Sequence, residues 1–284
     1  MGKIDLHIHT TASDGTLSPK EVVDLAIETG LSAIAITDHD TVAGVEEAIE
    51  YAKDKPIKVI PGVEISTNLG RQEVHMLGYN IDYKSPIILK TLEILALIRD
   101  IRTERMVKLL QADNVDISME QLKEMFPNAK SLNRANMAIY LVEKGIAQDK
   151  YEAFEKYLDG DTKYYVKKNR ITAEDAVNVI LDSYGIPVMA HPVLYPLDVA
   201  AYTKLFKRAK EIGVQGVEAI YSNNRPGDRE FFSNLAEQNG LFITAGSDFH
   251  GAVKPLIQLG KGFIDDSHEK FEANESILEN LKLS

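Results

Sequence analysis

Six of the seven histidines in this 284-residue chain fall at or just beyond the ends of short apolar runs, with acids beside them or close by. From the N-terminus they read Asp5-Leu6-His7-Ile8-His9 followed by Asp14, then Thr37-Asp38-His39-Asp40. Glu64 and His75 come next, then Ala190-His191-Pro192, and finally Ser247-Asp248-Phe249-His250. His7 and His9 lie two apart on an expected strand, so both side chains project from one face, and Asp248 and His250 repeat that spacing. A chain written this way must bring many strand ends together, as the C-terminal mouth of a β/α barrel does. Imidazoles and carboxylates so gathered suit a cluster of borderline divalent metals. A lone His-x-His is weak evidence, and His75 by itself is weaker. The coincidence at strand ends is what outweighs packing, and His268 alone stands apart from it.

The spacing of the apolar runs agrees. Ile4–Ile8 reads as a strand, Ser18-Pro19 opens a helix through about Glu28, and Ser32–Thr37 is a buried strand. Val42–Lys53 follows as a helix, then strands over Lys58–Ile65 and Val74–Tyr79. This alternation predicts parallel strands with helices outside. From about Ile81 to Arg170 the pattern is helical throughout, which predicts an all-helical insertion over residues 81–170. The β/α alternation then resumes. A helix from Thr172, a strand Ile186–Ala190 and a helix near Leu197–Ile212 lead to a strand Val214–Ala219. A helix over Asp228–Gln238, a strand Leu241–Thr244 and an acidic helix near Glu275–Leu283 complete it. Residues 1–80 and 171–284 thus form one α/β domain.

Composition narrows the chemistry. There is no cysteine, so any metal must be held by nitrogen and oxygen. A net charge of −11 argues against a broad surface for long duplex nucleic acid. No apolar stretch approaches the roughly 20 residues that cross a bilayer, and the N-terminus has no signal-peptide pattern, so the expected address is the cytoplasm. Two basic stretches, Arg99/Arg102/Arg105/Lys108 and Lys163–Arg170, read as solvated faces or as binding surface.

On these motifs the chain resembles the polymerase and histidinol phosphatase (PHP) family of metal-dependent phosphoesterases. His7-Ile8-His9 matches the first family motif, Thr37-Asp38-His39 the second, Ala190-His191-Pro192 the third and Ser247-Asp248-Phe249-His250-Gly251 the fourth. The resemblance implies a distorted seven-stranded (β/α) barrel binding three divalent ions, Mn, Fe or Zn. It implies one ion on His7, His9, Glu64 and Asp248. A second would share Glu64 with His75 and His191, and a third would sit on Asp14, His39 and His250. The insertion is similar to that of a stand-alone subgroup acting on nucleoside 3′,5′-bisphosphates, mononucleotides and short RNA 5′ ends. There an Arg-Pro-His run and a later Tyr-Val close the insertion. Here the run reads Asn133-Arg134-Ala135-Asn136, followed by Tyr164-Tyr165-Val166, so the arginine is kept while substrate choice stays open.

Three such ions bring six positive charges, and Asp14, Glu64 and Asp248 return three. The remaining positive charge suits a phosphate dianion, with metal-activated water as nucleophile. Glu64, Asp248 and Arg134 are the expected catalytic residues, and Arg134, Asn136 and Tyr221 the expected substrate contacts. Tyr221 is a base-stacking candidate with packing as the alternative. Asp38 is expected to orient an imidazole, and Asp40 to orient one or to cap a turn. The expected partner is a small phosphorylated nucleotide or short 5′-phosphorylated RNA, with no membrane. Two other readings share these motifs: a histidinol-phosphate phosphatase, which has less need of an insertion, and a non-catalytic metal-bound module assisting a partner.

Overall fold

Strand β1 (Lys3–Ile8) is almost wholly buried and pairs in parallel with β2 (Leu31–Ile36) through helix α1 (Pro19–Glu28). The start of α1 is set locally. Ser18 accepts the Glu21 N–H, the Glu21 carboxylate accepts the Ser18 N–H, and Pro19 occupies the first turn, where its missing donor costs nothing. Helix α2 (Val45–Ala52) leads to β3 (Lys58–Leu69), again parallel to its neighbour. The computed structural model describes residues 3–127, 131–167, 169–264, 267–270, 277, 279 and 281.

The all-parallel expectation fails at the next strand. β4 (Gln72–Tyr79) runs antiparallel to β3, because only Gly70 and Arg71 separate them and so short a link can make only a hairpin. Gly70 takes the positive φ of +63° that the turn requires.

The chain clusters into two units, residues 1–91 with 171–284, and residues 92–170. The division falls inside α3 (Pro86–Ala112) rather than at Ile81. The second unit continues through α4 (Met119–Met125), α5 (Arg134–Glu143) and α6 (Lys150–Ala153), which runs on into one π-helical turn, Phe154–Leu158. Its described residues contain no strand, and Met106, Leu110, Leu122, Met137, Tyr140 and Leu158 build its own core.

Back in the first unit, β5 (Ile171–Thr172) adds to β3 and α7 (Ala173–Asp182) follows. β6 (Ile186–Met189) pairs antiparallel with β4, and α8 (Val199–Glu211), β7 (Gly216–Tyr221), α9 (Asp228–Gln238) and β8 (Phe242–Gly246) restore parallel order. The path is β1-β2-β3-β4-β6-β7-β8, with β5 off β3. Its ends meet: the His9 N–H donates to Phe249 O and the Asp248 N–H to His7 O, each at 2.9 Å. The result is a distorted seven-stranded (β/α) barrel, nearly closed, with an all-helical insertion. β9 (Lys261–Ile264) and β10 (Ser267–Lys270) form a separate hairpin. The acidic helix expected over Glu275–Leu283 falls mostly outside the described residues. Of it, Ile277 and Leu281 pack among Ile4, Leu6, Leu77, Tyr79 and Val188. No helix among the described residues is long and apolar enough to cross a membrane.

Candidate metal centre

Closure of the barrel is what assembles the site. Asp5, buried on β1, accepts the His7 and Ser247 N–H groups through one oxygen and the Gly260 N–H through the other, tying the first strand to the last. His7 therefore faces the turn that carries Asp248 and His250. Three residues around the site take positive φ: Asp40 at 50°, His191 at 24° and Asp248 at 58°. Such conformations cost of order 1–3 kcal/mol each and persist where the surroundings impose them.

Glu64 lies at the middle of the cluster and is fully buried. Its Oε1 is 2.9 Å from both His75 Nδ1 and His191 Nε2. Its Oε2 is 2.8 Å from His39 Nδ1 and 3.3 Å from both His7 Nε2 and His9 Nε2. Backbone pairing places these groups. The Asp40 N–H donates to Glu64 O and the Glu64 N–H to Asp38 O, which sets His39 beside Glu64. Opposite Glu64 on β4 is Leu77, so His75 is its diagonal neighbour on the same face. Burial would push the Glu64 carboxyl up, but the imidazoles of His39, His7 and His75 outweigh that and hold it well below the usual carboxylate range. Burial pulls His39 down, yet the carboxylates of Glu64 and Asp14 raise it to about 9.

The remaining candidates complete two further groups. Asp248 Oδ1 lies 3.3 Å from His9 Nε2 and 3.7 Å from His7 Nε2. Asp14 Oδ1 lies 3.4 Å from His250 Nε2 and 3.8 Å from His9 Nδ1. All nine residues singled out as ligands thus fall into groups whose donor atoms lie within 4.8 Å of one another.

These residues fit metal ions better than they fit each other. Glu64 Oε2, Asp14 Oδ1, His39 Nδ1 and His191 Nδ1 are buried without a hydrogen-bond partner, although imidazole nitrogens crowd the two carboxylate oxygens. His7 Nε2 and His9 Nε2 stand 3.1 Å apart. Two imidazole nitrogens this close, turned toward the same space, could serve one ion. Glu64 Oε1 is paired with His75 and His191, but so many buried lone pairs left without a hydrogen suit ligands better than a closed hydrogen-bonded network.

The structure also supplies supports that the motifs did not reveal. Glu218 on β7 is buried, with both oxygens 3.0 Å from His7 Nδ1, an arrangement in which an ionised Glu218 takes the Nδ1 proton and leaves Nε2 for an ion. Glu218 also accepts the His191 N–H at 2.9 Å. Gly246 makes room for this pair, since a Cβ there would meet the Glu218 carboxylate and the His7 side chain. The available signal was an acid inside the apolar run Gly216-Val217-Glu218-Ala219-Ile220-Tyr221, expensive to bury without a task.

Two expected roles change. Asp38 holds no imidazole directly: it accepts from Thr10 N–H, Thr10 Oγ1 and Ser13 Oγ at 2.6–2.8 Å and so fixes the loop between His9 and Asp14, with Ser13 Oγ in turn 3.5 Å from His9 Nδ1. Tyr221 is 2% exposed and offers no open face for a base. Its hydroxyl donates to Asp248 Oδ2 at 2.6 Å, and its ring meets His191 edge-on. Asn136 spends its side-chain oxygen on the Asn133 N–H at the start of α5. Asp40 keeps a turn role, accepting the Ser66 N–H. Arg134 lies in the insertion, donating to Leu158 O at 3.1 Å, with its guanidinium over Phe154 and Tyr165.

The sequence of the PHP domain family matches residues 5–185. The chain belongs to this family. The PHP protein is 33% identical over 250 residues to a 3′,5′-nucleoside bisphosphate phosphatase of Chromobacterium violaceum, covering 88% of each chain. It is 34% identical over 259 residues to the 5′-3′ exoribonuclease Rnm of Escherichia coli, covering 90% of this chain and 88% of that one. A solved structure of an amidohydrolase from Chromobacterium violaceum, with bound sulfate and no metal, superposes with a TM-score of 0.84 at 30% identity, covering 99% and 96% of the two chains. The PHP protein is accordingly a metal-dependent phosphoesterase, a hydrolase of phosphoric esters.

Proposed function

We propose that this protein removes phosphate from small nucleotides: nucleoside 3′,5′-bisphosphates, mononucleotides or the 5′ ends of short RNA. In this reading three divalent ions (Mn, Fe or Zn) are held by His7, His9, Glu64 and Asp248, by Glu64, His75 and His191, and by Asp14, His39 and His250. The observation that carries it is Glu64, whose two oxygens face five imidazoles from four different segments. When bound, the ions supply Lewis acidity and activate water near neutral pH.

The rest falls to the chain. Glu218 fixes the ring and tautomer of His7, Tyr221 turns Asp248 so that Oδ1 faces His7 and His9, and Asp38 stiffens the loop that presents Asp14. Nine ligands with three carboxylates leave three ions about three positive charges in excess, which favours a dianionic ester over a neutral one. The nucleotide-acting relatives support the substrate class.

The test is phosphate release by Mn²⁺-loaded protein. Nucleoside mono- and bisphosphates, 5′-phosphorylated dinucleotides and histidinol phosphate are compared. A nucleotide should lead in kcat/KM. Histidinol phosphate in first place would overturn the substrate assignment.

A further inference from the structure

The short turn after His250 carries a lysine with no role assigned so far. Lys254 ends the turn Gly251–Val253, its N–H donating to Gly251 O at 3.2 Å and its carbonyl accepting from the Ile257 N–H at 3.0 Å. The turn is clamped to the loop after β1. The Ala252 N–H donates to Thr16 Oγ1 at 2.9 Å and the Thr16 N–H to His250 O at 3.2 Å. Gly251, at φ +63°, packs on the same hydroxyl, leaving no space for a Cβ. Lys254 is therefore mounted on the same constrained stretch as Asp248 and His250.

The two oxygens of Asp248 are divided between tasks. Oδ1 faces His9 and His7, while Oδ2 accepts from Tyr221 Oη and from Lys254 Nζ, each at 2.6 Å. The Asp248 side chain is 5% exposed, but that of Lys254 is 37% exposed. The ammonium thus stands where the buried cluster opens to solvent. It has three N–H donors, of which one carboxylate oxygen takes one. Orienting Asp248 does not require it, because the uncharged hydroxyl of Tyr221 already holds that oxygen from the buried side.

We infer that Lys254 is a substrate-binding residue: its ammonium, anchored on Asp248 Oδ2, donates to a non-bridging oxygen of the phosphoryl group held at the metal centre. This rests on the phosphoesterase reading above. A compact point charge beside the ions suits a phosphate dianion, and the Asp248 contact holds the flexible side chain in place before substrate arrives.

The test compares wild type, Lys254→Met and Lys254→Arg, all metal-loaded. Inorganic phosphate affinity is measured by calorimetry, KM and kcat on a nucleoside monophosphate by steady-state kinetics, and metal content by elemental analysis. Lys254→Met should weaken phosphate binding and raise KM about ten- to hundredfold, as for loss of a charge-assisted hydrogen bond. Its kcat should change far less, its metal content should equal that of wild type, and Lys254→Arg should recover part of the affinity. Phosphate affinity equal to wild type in Lys254→Met overturns the inference. So does lost metal with undiminished phosphate affinity in the sites still loaded, because the lysine would then act only through Asp248. Wild-type protein that neither binds phosphate nor hydrolyses any ester fails at an earlier point: it overturns the proposed function itself, before any variant is compared.

Discussion

At the scale of single residues, the acids are not interchangeable. Glu64 faces five imidazoles and is fully buried, whereas the Asp14 side chain is 32% exposed at the edge of the cluster. Glu64→Gln keeps the volume but replaces one oxygen by an amide donor, which cannot serve an ion. It should lose bound metal and nearly all turnover while remaining folded. Parent-like metal content and rate in that variant would show that the cluster is not the centre. Arg134 presents the opposite case. Its contacts with Leu158 O, Phe154 and Tyr165 are all within the insertion, so loss of the side chain has a structural cost of its own. As a phosphate-binding residue it should lose about 10- to 150-fold in kcat/KM on Arg134→Ala, with metal content unchanged. Arg134→Lys should recover only part, since an ammonium keeps the charge but not the fork. A lower melting temperature with unaltered kcat/KM would confine Arg134 to packing.

At the scale of elements, the ligands were legible but some of their geometry was not. His-x-His at the end of β1 carries its spacing in the sequence, because strand alternation puts both members on one face, whereas Thr-Asp-His and Asp-x-His were legible only as motifs just beyond β2 and β8. The approach of His75 to Glu64 is different. It depends on β3 and β4 forming a hairpin, and Gly70-Arg71 lacks the Asn-Gly or Asp-Gly signature that would have marked the turn. Tyr221 was legible as a residue at the right strand end, but not its burial, which follows from β7 lying between β6 and β8. Glu218 and Gly246 show the same limit. They are matched across β7 and β8, and no local pattern relates an acid on one strand to a missing side chain on the next. This pairing can be tested. Gly246→Ala introduces a methyl group against the Glu218 carboxylate and the His7 side chain. Overpacking of this kind costs about 1–3 kcal/mol. The variant should melt several degrees lower and bind less metal per chain than its parent, measured by thermal unfolding and elemental analysis. Unchanged values for both would mean that β7 and β8 shift freely enough to absorb the methyl group, and that His7 does not depend on their register.

At the scale of the whole molecule, the centre doubles as a clasp. The candidate ligands come from β1 and its loop, the end of β2, β3, β4, the end of β6 and the turn after β8, so bound ions would join every part of the barrel path except β7. Residues 92–170 contribute none of them. Without ions, the barrel must hold unpartnered carboxylate oxygens and crowded imidazoles in its interior, a cost that ligation removes. Binding to the folded state alone stabilises by an amount that grows with ligand concentration, about 2.7 kcal/mol at a hundredfold excess over Kd. Chelation should therefore lower the melting temperature, and readded Mn²⁺ should restore it in a concentration-dependent way. Amide hydrogen exchange should localise the effect. Protection should fall at the C-terminal ends of β1, β2 and β8 and along the β3–β4 hairpin, while α4 and α5 keep their own rates. A uniform loss of protection across both units would show that the insertion does not unfold independently of the barrel. Removal of all metal with no change in melting or exchange would mean that closure rests on the backbone pairing of β1 with the turn after β8, and that the ions serve the chemistry alone.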